Sequence, residues 1–214
     1  MNESTKSKLK LTALLLMVAV PVTLASLTFR SAFNGGWGGT ANNGTLISPP
    51  ADIEALDMRD TEGELLFRTF EEEIEGISPD DYQPRPWLMV YVSASDCEQQ
   101  CRERLYSLRQ LHIALGKDIQ RVRRYYLHAA AAPLNADDAA HFQDDFPSMG
   151  VAYSDAELLT SNLQSAGVDL SLATEDYVLF VDPVGNVMMY YTKEQTPQEI
   201  MSDLEHLLKY SSLG

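Results

Sequence analysis

Cysteine and basic residues are scarce in this sequence. Among its 214 residues there are two cysteines, Cys97 and Cys101, so any thiol redox or thiolate–metal chemistry depends on this one pair. Lysine and arginine number 16 against 31 aspartate and glutamate residues, which gives a formal charge of −15. So acidic a chain repels phosphate backbones, and we therefore expect no nucleic-acid binding. Internal repeats are also lacking, which excludes a repeat architecture.

One long uncharged run lies close to the N-terminus. Residues 11–29 form 19 consecutive positions without a charge, and about 20 apolar residues cross the hydrocarbon core of a bilayer. Lys6, Lys8 and Lys10 precede the run, whereas only Arg30 follows it closely. Because positively charged flanks stay in the cytoplasm, the run predicts a single transmembrane helix with a cytoplasmic N-terminus.

The alternative for the same run is a cleaved signal peptide, since small residues at 23–25 offer a cleavage-like arrangement. The run is longer than a usual signal-peptide core, so we expect a retained anchor. The predicted organisation is a cytoplasmic segment at 1–10, an anchor at 11–29, a tether rich in Gly, Asn, Ser and Pro at 30–50, and a domain at 51–214. That domain faces an oxidising compartment, where two close cysteines can form a disulfide or a working dithiol.

From residue 87 onward the apolar pattern resolves into separate elements. Continuous apolar runs predict buried strands at 87–92 and 177–181. Turn-forming residues at 182–186 predict a hairpin into a further strand at 187–191. The other predicted elements are strands at 64–70 and 122–127 and helices at 137–146 and 155–166.

Two helices carry additional signals. Leucines recur at helical spacing from Leu105 to Leu115, and Gly116 stands where a helix C-cap belongs. The Thr-Pro-Gln-Glu sequence at 196–199 predicts a capping box at the start of the last helix. The order strand, helix, strand, helices, strand hairpin and terminal helix predicts an α/β fold: a thioredoxin-like sandwich, with a central mixed sheet flanked by helices and preceded by one N-terminal transmembrane helix.

Cys97 and Cys101 lie at the junction between the first of these buried strands and its helix. Backbone N–H groups at a helix start favour a thiolate. The spacing of four residues keeps both sulfurs on one face, where they can close a disulfide or share a soft metal such as Cu(I). By position, we expect Cys97 to be the more exposed, attacking thiolate and Cys101 its resolving partner. The alternative is a structural disulfide without turnover, although so short a loop contributes little stabilisation.

Strand, Cys-x-x-x-Cys junction, Leu-rich helix and the hairpin YVLFVDPVGNV together resemble the SCO/SenC family. Its members are membrane-anchored thioredoxin-like proteins that deliver copper to cytochrome c oxidase or reduce the cysteines of its copper site. The anchor followed by NNGTLISPP, and the segment DCEQQCRERLYSLRQLHIALGKDIQRVRRYYL, also resemble proteobacterial membrane proteins associated with cytochrome c oxidase. The resemblance implies a single-pass protein of the bacterial inner membrane with a periplasmic domain. It also implies copper as a candidate cofactor, and a cytochrome c oxidase subunit or other assembly factors as partners.

The sequence departs from this family at its copper ligands. A histidine ahead of the hairpin strand completes the family's site, whereas Thr174 stands at about that position here, with no histidine nearby. The prolines that usually follow each family cysteine are replaced by Glu98 and Arg102. Each histidine of the chain is expected to be a surface or packing residue, namely His112, His128, His141 and His206. Of these, His128 at the end of a strand is the least unsuited to be a ligand.

Three functions follow from these observations. The preferred one is a membrane-anchored accessory factor for cytochrome c oxidase biogenesis that uses Cys97 and Cys101 for redox exchange or transient copper handling. The second is a membrane-tethered interaction module that keeps the fold without the chemistry. The third is a general thiol–disulfide oxidoreductase, which is disfavoured because the spacing is not Cys-x-x-Cys and no proline precedes Tyr177. Enzymatic activity is left open, with a non-enzymatic role preferred.

Overall fold

The computed structural model describes residues 3–33, 42–78, 81–83, 85–130 and 132–211. The chain divides into an N-terminal unit, Met1–Asn42, and a larger unit, Asn43–Gly214.

Among its described residues, the N-terminal unit contains one helix, α1, over Glu3–Phe33. The run predicted as an anchor, 11–29, lies inside it. Apolar side chains along α1 are exposed, among them Leu14 at 65%, Met17 at 78% and Leu27 at 68%. Among the residues that the structure describes, no helix combines the length and the apolar character that a membrane crossing requires. The helix is therefore confirmed, and its transmembrane character is not.

The larger unit is built on a six-stranded mixed sheet in the order β1-β6-β5-β2-β3-β4. The neighbours β2 and β3, and likewise β3 and β4, run parallel, while the pairs β2–β5, β5–β6 and β1–β6 are antiparallel. The strands are β1 Thr45–Asp52, β2 Trp87–Ser93, β3 Val122–His128, β4 Gly150–Tyr153, β5 Tyr177–Val181 and β6 Asn186–Tyr191. The helices of this unit are α2 Phe70–Ile74, α3 Gln99–Ala114, α4 Ala136–Asp145, α5 Ala156–Ser165 and α6 Pro197–Tyr210. The predicted thioredoxin-like α/β sandwich is confirmed for this unit.

Alternating residues of the central strands divide the core between the two faces of the sheet, as the pleat requires. On one face, Val90 of β2 packs in a cluster with Leu159 and Leu163 of α5. On the other face, Met89 and Tyr91 lie in a second cluster with residues of α3, α4 and α6. The second cluster contains both cysteines.

Residues before position 87 contribute to both edges of the sheet. β1 pairs with β6 at one edge, with Ile47 and Ala51 buried. A 3-10 turn, Ile53–Leu56, then leads to Arg59, whose backbone exchanges hydrogen bonds of 2.9 and 2.8 Å with Tyr153 of β4. β1 therefore forms one edge of the sheet, and the segment around Arg59 pairs with the opposite edge strand, β4. The predicted tether, 30–50, therefore differs from the structure at both ends, because its first residues belong to α1 and its last residues to β1. Its part at 34–41 lies outside the described residues.

The predicted strand at 64–70 is wrong. Leu65 makes only an isolated bridge to Arg59, and a short helix, α2, begins at Phe70. The reason is capping: the Thr69 hydroxyl accepts a 3.2 Å hydrogen bond from the Glu72 backbone N–H, and three acidic residues occupy the first turn. An N-cap hydroxyl and negative charge at a helix start both favour a helix over a strand.

Most of the other predicted elements are confirmed within a few residues, including the capping box of α6. The Thr196 hydroxyl accepts from the Glu199 N–H at 3.3 Å, and Glu199 accepts from the Thr196 N–H at 2.7 Å. Gly116 follows α3 with a φ of 57°, the left-handed conformation expected of a C-cap glycine.

Candidate functional site

Cys97 and Cys101 form a disulfide at the junction of β2 and α3, with their Cα atoms 5.1 Å apart. Cys97 lies in the connecting loop, and Cys101 lies in the first turn of α3, which begins at Gln99. The predicted position of the pair at a helix start is confirmed. The residue at the N-cap, Glu98, makes no side-chain capping hydrogen bond.

Both cysteines are buried, which corrects the expected difference in exposure between them. Cys97 is 1% exposed and Cys101 is 4% exposed, so Cys97 is not the more accessible residue of the oxidised pair. They share an apolar cluster with Tyr91, Leu105 and Tyr126. The physical reason is that the loop carrying Cys97 does not project into solvent, because α4 holds it from the other side.

A buried carboxylate on α4 makes that contact. Asp138 is 1% exposed, and its Oδ2 accepts a 2.9 Å hydrogen bond from the Cys97 backbone N–H. The same oxygen accepts from Asn135 Nδ2 at 2.9 Å, and Arg102 Nη2 donates to Oδ1 at 2.7 Å. Burial alone raises the pKa of Asp138, but these hydrogen bonds and the charge of Arg102 outweigh it and hold the pKa below its usual value.

Arg102 also binds Cys97 directly. Its Nε donates a 3.0 Å hydrogen bond to the Cys97 backbone carbonyl, while the same guanidinium pairs with Asp138. The backbone of Cys97 is therefore held at its N–H by Asp138 and at its carbonyl by Arg102. We call Asp138, Arg102 and Asn135 the Asp138 network.

A cleft of about 460 Å³ opens on another side of the β2–α3 loop, lined in part by Ser95 and Gln100. Tyr91 donates a 2.6 Å hydrogen bond to Asp176 in its wall, and burial, reinforced by that carboxylate, raises the pKa of Tyr91. Thr174, at about the position where the sequence resemblance aligns the copper-binding histidine of the SCO family, also lines this cleft.

Arg104 faces the same cleft and is engaged with the protein backbone. It donates hydrogen bonds of 2.8 and 3.1 Å to the carbonyls of Gln195 and Thr192. Its guanidinium thereby holds the loop before α6 against α3. Neither Arg102 nor Arg104 is a free cation beside the cysteines.

The residues present do not fit a copper site of the SCO kind. Among the described residues, no group of three or more His, Cys, Asp or Glu side chains could hold a metal ion. His128, the histidine least unsuited by sequence, is 1% exposed and its Nε2 bonds to the Ala132 carbonyl at 3.0 Å. His112 Nε2 contacts the carbonyls of Ile119 and Val122, and His141 pairs with Asp145. The expectation that these are packing or surface residues is consistent with their contacts.

Sequence reasoning missed Asp138 as a residue of this site. Its local signal, Asn135-x-x-Asp138, is that of a helix N-cap, and Asn135 Oδ1 does accept a 2.8 Å hydrogen bond from the Asp138 N–H. Nothing in that pattern indicates that the Asp138 side chain turns away to meet a loop 41 residues earlier. Only the packing of α4 against the β2–α3 loop brings the two together.

The family of the chain follows from a match of its sequence to a family model. Residues 87–211, more than half of the chain, match the transmembrane-like, thioredoxin-like C-terminal domain family. The chain belongs to this family. Among curated proteins, none matches the sequence of this transmembrane-like, thioredoxin-like protein.

Solved structures are similar to this thioredoxin-like protein at low sequence identity. ScoI of Arabidopsis thaliana with copper bound is 12% identical over 76% of this chain and 98% of its own, with a TM-score of 0.50. Yeast Sco1 with copper bound is 14% identical over 81% of this chain and 96% of its own, with a TM-score of 0.49. BsSco, a member of the Sco family of cytochrome c oxidase assembly proteins, is 12% identical over 79% and 97%, with a TM-score of 0.49. At 12% identity, the likeness to ScoI of Arabidopsis thaliana establishes a common fold only.

Proposed function

We propose that the protein is a membrane-anchored periplasmic accessory factor for cytochrome c oxidase biogenesis that acts by reversible exchange of the Cys97–Cys101 disulfide. The observation that carries the proposal is this disulfide, at the strand–helix junction of a thioredoxin-like domain. The resemblance of the sequence to the SCO/SenC family supports the oxidase as the destination. The partners are then a cytochrome c oxidase subunit or another assembly factor.

The exchange transfers two electrons from the Cys97–Cys101 dithiol to a disulfide of the partner. Starting from the dithiol, the Cys97 thiolate attacks one sulfur of a partner disulfide, and the other partner sulfur leaves as a thiolate. Cys101 then attacks Cys97, which restores the Cys97–Cys101 bond and releases the second partner thiolate. We assign the attack to Cys97 because it lies in a loop, which can open, whereas Cys101 is fixed within α3.

Copper handling is the less supported branch of this proposal. Reduction frees two sulfurs that prefer a soft ion such as Cu(I). The absence of a third ligand group among the described residues argues against tight binding. Copper is therefore considered only as a transient cargo of the two cysteines.

The membrane attachment rests on the sequence of the first 30 residues. The uncharged run 11–29, preceded by three lysines, supports an anchor in the bacterial inner membrane with the N-terminus in the cytoplasm. The exposed apolar side chains of α1, such as Leu14 and Met17, support the same conclusion, since large exposed apolar surfaces mark contact with lipid or protein.

Oxidase assembly in cells tests the proposal. In a strain lacking the gene, we expect the wild-type chain to restore cytochrome c oxidase activity, and the Cys97→Ser, Cys101→Ser double variant to leave it at least fivefold lower. Ser161→Ala, on the exposed surface of α5, is the matched control and should restore wild-type activity. If added copper rescues the double variant, the cysteines act in copper supply; if it does not, they act in redox exchange. Full activity of the double variant would refute the proposal.

A second candidate is a non-catalytic interaction module. The observation in its favour is the burial of both sulfurs, since a working dithiol needs at least one accessible sulfur. Under this alternative the double cysteine variant retains oxidase activity, whereas removal of the domain that begins at Asn43 abolishes it.

A further inference from the structure

The Cys97 loop is fastened by side chains of two helices, Asp138 of α4 and Arg102 of α3. Its backbone N–H and carbonyl both bind side chains of the Asp138 network, at 2.9 Å from Asp138 and 3.0 Å from Arg102. Cys101, by contrast, is held by the helix to which it belongs. The Cys97 end of the disulfide is therefore tied both to α4, through Asp138, and to the helix that carries Cys101, through Arg102.

Reduction breaks the bond that joins the Cys97 loop to Cys101 of α3. A loop without other anchors then moves freely and carries the Cys97 sulfur away from Cys101. The Asp138 network keeps the Cys97 backbone beside α3, where its sulfur can form the bond again. A higher effective concentration of one thiol at the other favours the disulfide over the dithiol.

We propose that Asp138 and Arg102 are positioning residues that stabilise the Cys97–Cys101 disulfide against reduction by holding the Cys97 backbone in its oxidised position. This inference rests on the proposed redox function and deepens it, because it names the residues that regulate the exchange. A partner that displaces Asp138 or Arg102 would make the disulfide easier to reduce at the moment of docking. Both residues line the groove beside Cys97, about 390 Å³ in volume, and the Arg102 side chain, 44% exposed, is the one that a partner can contact directly.

Charged groups around this groove come from three elements. The loop contributes two acids, α3 contributes one arginine, and α4 contributes two acids. They are Asp96, Glu98, Arg102, Asp137 and Asp138. Only Arg102 and Asp138 of these form hydrogen bonds to Cys97 among the contacts of the described residues.

The test is the equilibrium of the full chain with glutathione. Two glutathione thiols reduce the disulfide to two protein thiols and become oxidised glutathione, so the equilibrium constant counts two electrons. The protein, purified in detergent, is equilibrated at a series of glutathione ratios, and its thiols are counted by labelling with a maleimide. The variants are Asp138→Ala, Asp138→Asn and Arg102→Gln. The matched controls are Asp137→Asn on the same helix and Arg123→Gln on β3, both exposed.

We expect Asp138→Ala and Arg102→Gln to shift the equilibrium toward the dithiol about tenfold, which corresponds to about 30 mV for a two-electron couple. Asp138→Asn keeps an acceptor for the Cys97 N–H and should give a smaller shift in the same direction. The controls should remain within threefold of the wild type. A purely structural role would destabilise the oxidised and reduced forms equally and leave this constant unchanged.

Constants for Arg102→Gln and Asp138→Asn that stay within threefold of the wild type would overturn the inference, even if Asp138→Ala fails to fold. A shift of equal size in the controls would also overturn it. The outcome is separate from that of the cell assay. A shifted equilibrium together with full oxidase activity of the double cysteine variant would retain the positioning role and refute the proposed function.

Discussion

His112 lies near the end of α3, half-buried against the turn that precedes β3. Its Nε2 bonds to the carbonyls of Ile119 and Val122 at 3.1 and 2.8 Å, so this nitrogen carries the proton. Burial lowers the pKa of His112, with a further contribution from Arg124, against the opposing hydrogen bond to Val122. The folded chain therefore takes up the second ring proton, at Nδ1, at a lower pH than the unfolded chain does.

The lowered pKa of His112 makes the folded chain less stable in acid. Above the unfolded pKa of about 6.5, His112 is neutral in both states and contributes no pH dependence. As the pH falls below that value, the unfolded chain binds the proton first, so stability decreases until the folded pKa is passed.

We expect urea denaturation to show that the wild type loses more stability between pH 7 and pH 5 than His112→Gln does. His206→Gln, at an exposed position of α6, is the control and should retain the wild-type dependence. Equal dependence in the wild type and His112→Gln would contradict the assignment.

Strand β1 is the element that ties the start of the larger unit to its core. Asp203 of α6 is 3% exposed and accepts hydrogen bonds from the backbone N–H groups of Asn43 and Gly44, both with contacts of 2.9 Å. It also accepts from the hydroxyl of Tyr191 at 3.0 Å. A Cβ on Gly44 would lie 2.6 Å from the Tyr191 ring, so the close approach at this point requires glycine.

We expect Asp203→Ala to lower the free energy of unfolding by about 3 kcal/mol, because it leaves the buried Gly44 N–H and Tyr191 hydroxyl without this acceptor. Amide hydrogen exchange at Asn43 and Gly44 should become faster, while exchange in β2 should change only as much as the global stability does. Glu205→Ala, two residues later on the exposed face of α6, is the control. A stability change below about 1 kcal/mol would show that β1 does not depend on this carboxylate.

At the scale of the whole molecule, the proposed anchor predicts that the chain stays bound to the membrane, whereas a cleaved signal peptide would release the domain into the periplasm. We expect the full chain to stay in the membrane pellet after alkaline carbonate extraction. Protease added outside spheroplasts should degrade the domain at 51–214. A Leu15→Arg, Val18→Arg double variant should leave the pellet, because each arginine at the centre of a membrane helix costs about 2.5–3.5 kcal/mol. Leu15→Ile is the matched control, and wild-type protein in the soluble periplasmic fraction would instead indicate a cleaved signal peptide.

Sequence alone was sufficient for the elements whose signals are local. The apolar runs of β2 and β5, the turn into β6 and the capping box at Thr196 each depend on residues within a few positions of one another. These local signals, in order, were enough to predict the thioredoxin-like architecture and the helix-start position of Cys97 and Cys101. β4, only four residues long, and β1, interrupted by two prolines at 49–50, gave no comparable signal, since strand patterns need several alternating positions.

Only the tertiary structure decided how deeply the two cysteines are buried and which groups hold Cys97. The position of Cys97 at a helix start suggested exposure, but burial depends on what packs against that start, and here it is α4 with Asp138. The amino-acid sequence therefore determined where the two sulfurs lie along the chain and in the fold. Which groups hold Cys97, and how deeply both sulfurs are buried, was decided by contacts between residues about 40 positions apart, because hydrogen bonds to a buried carboxylate form only when the helix and the loop are packed together.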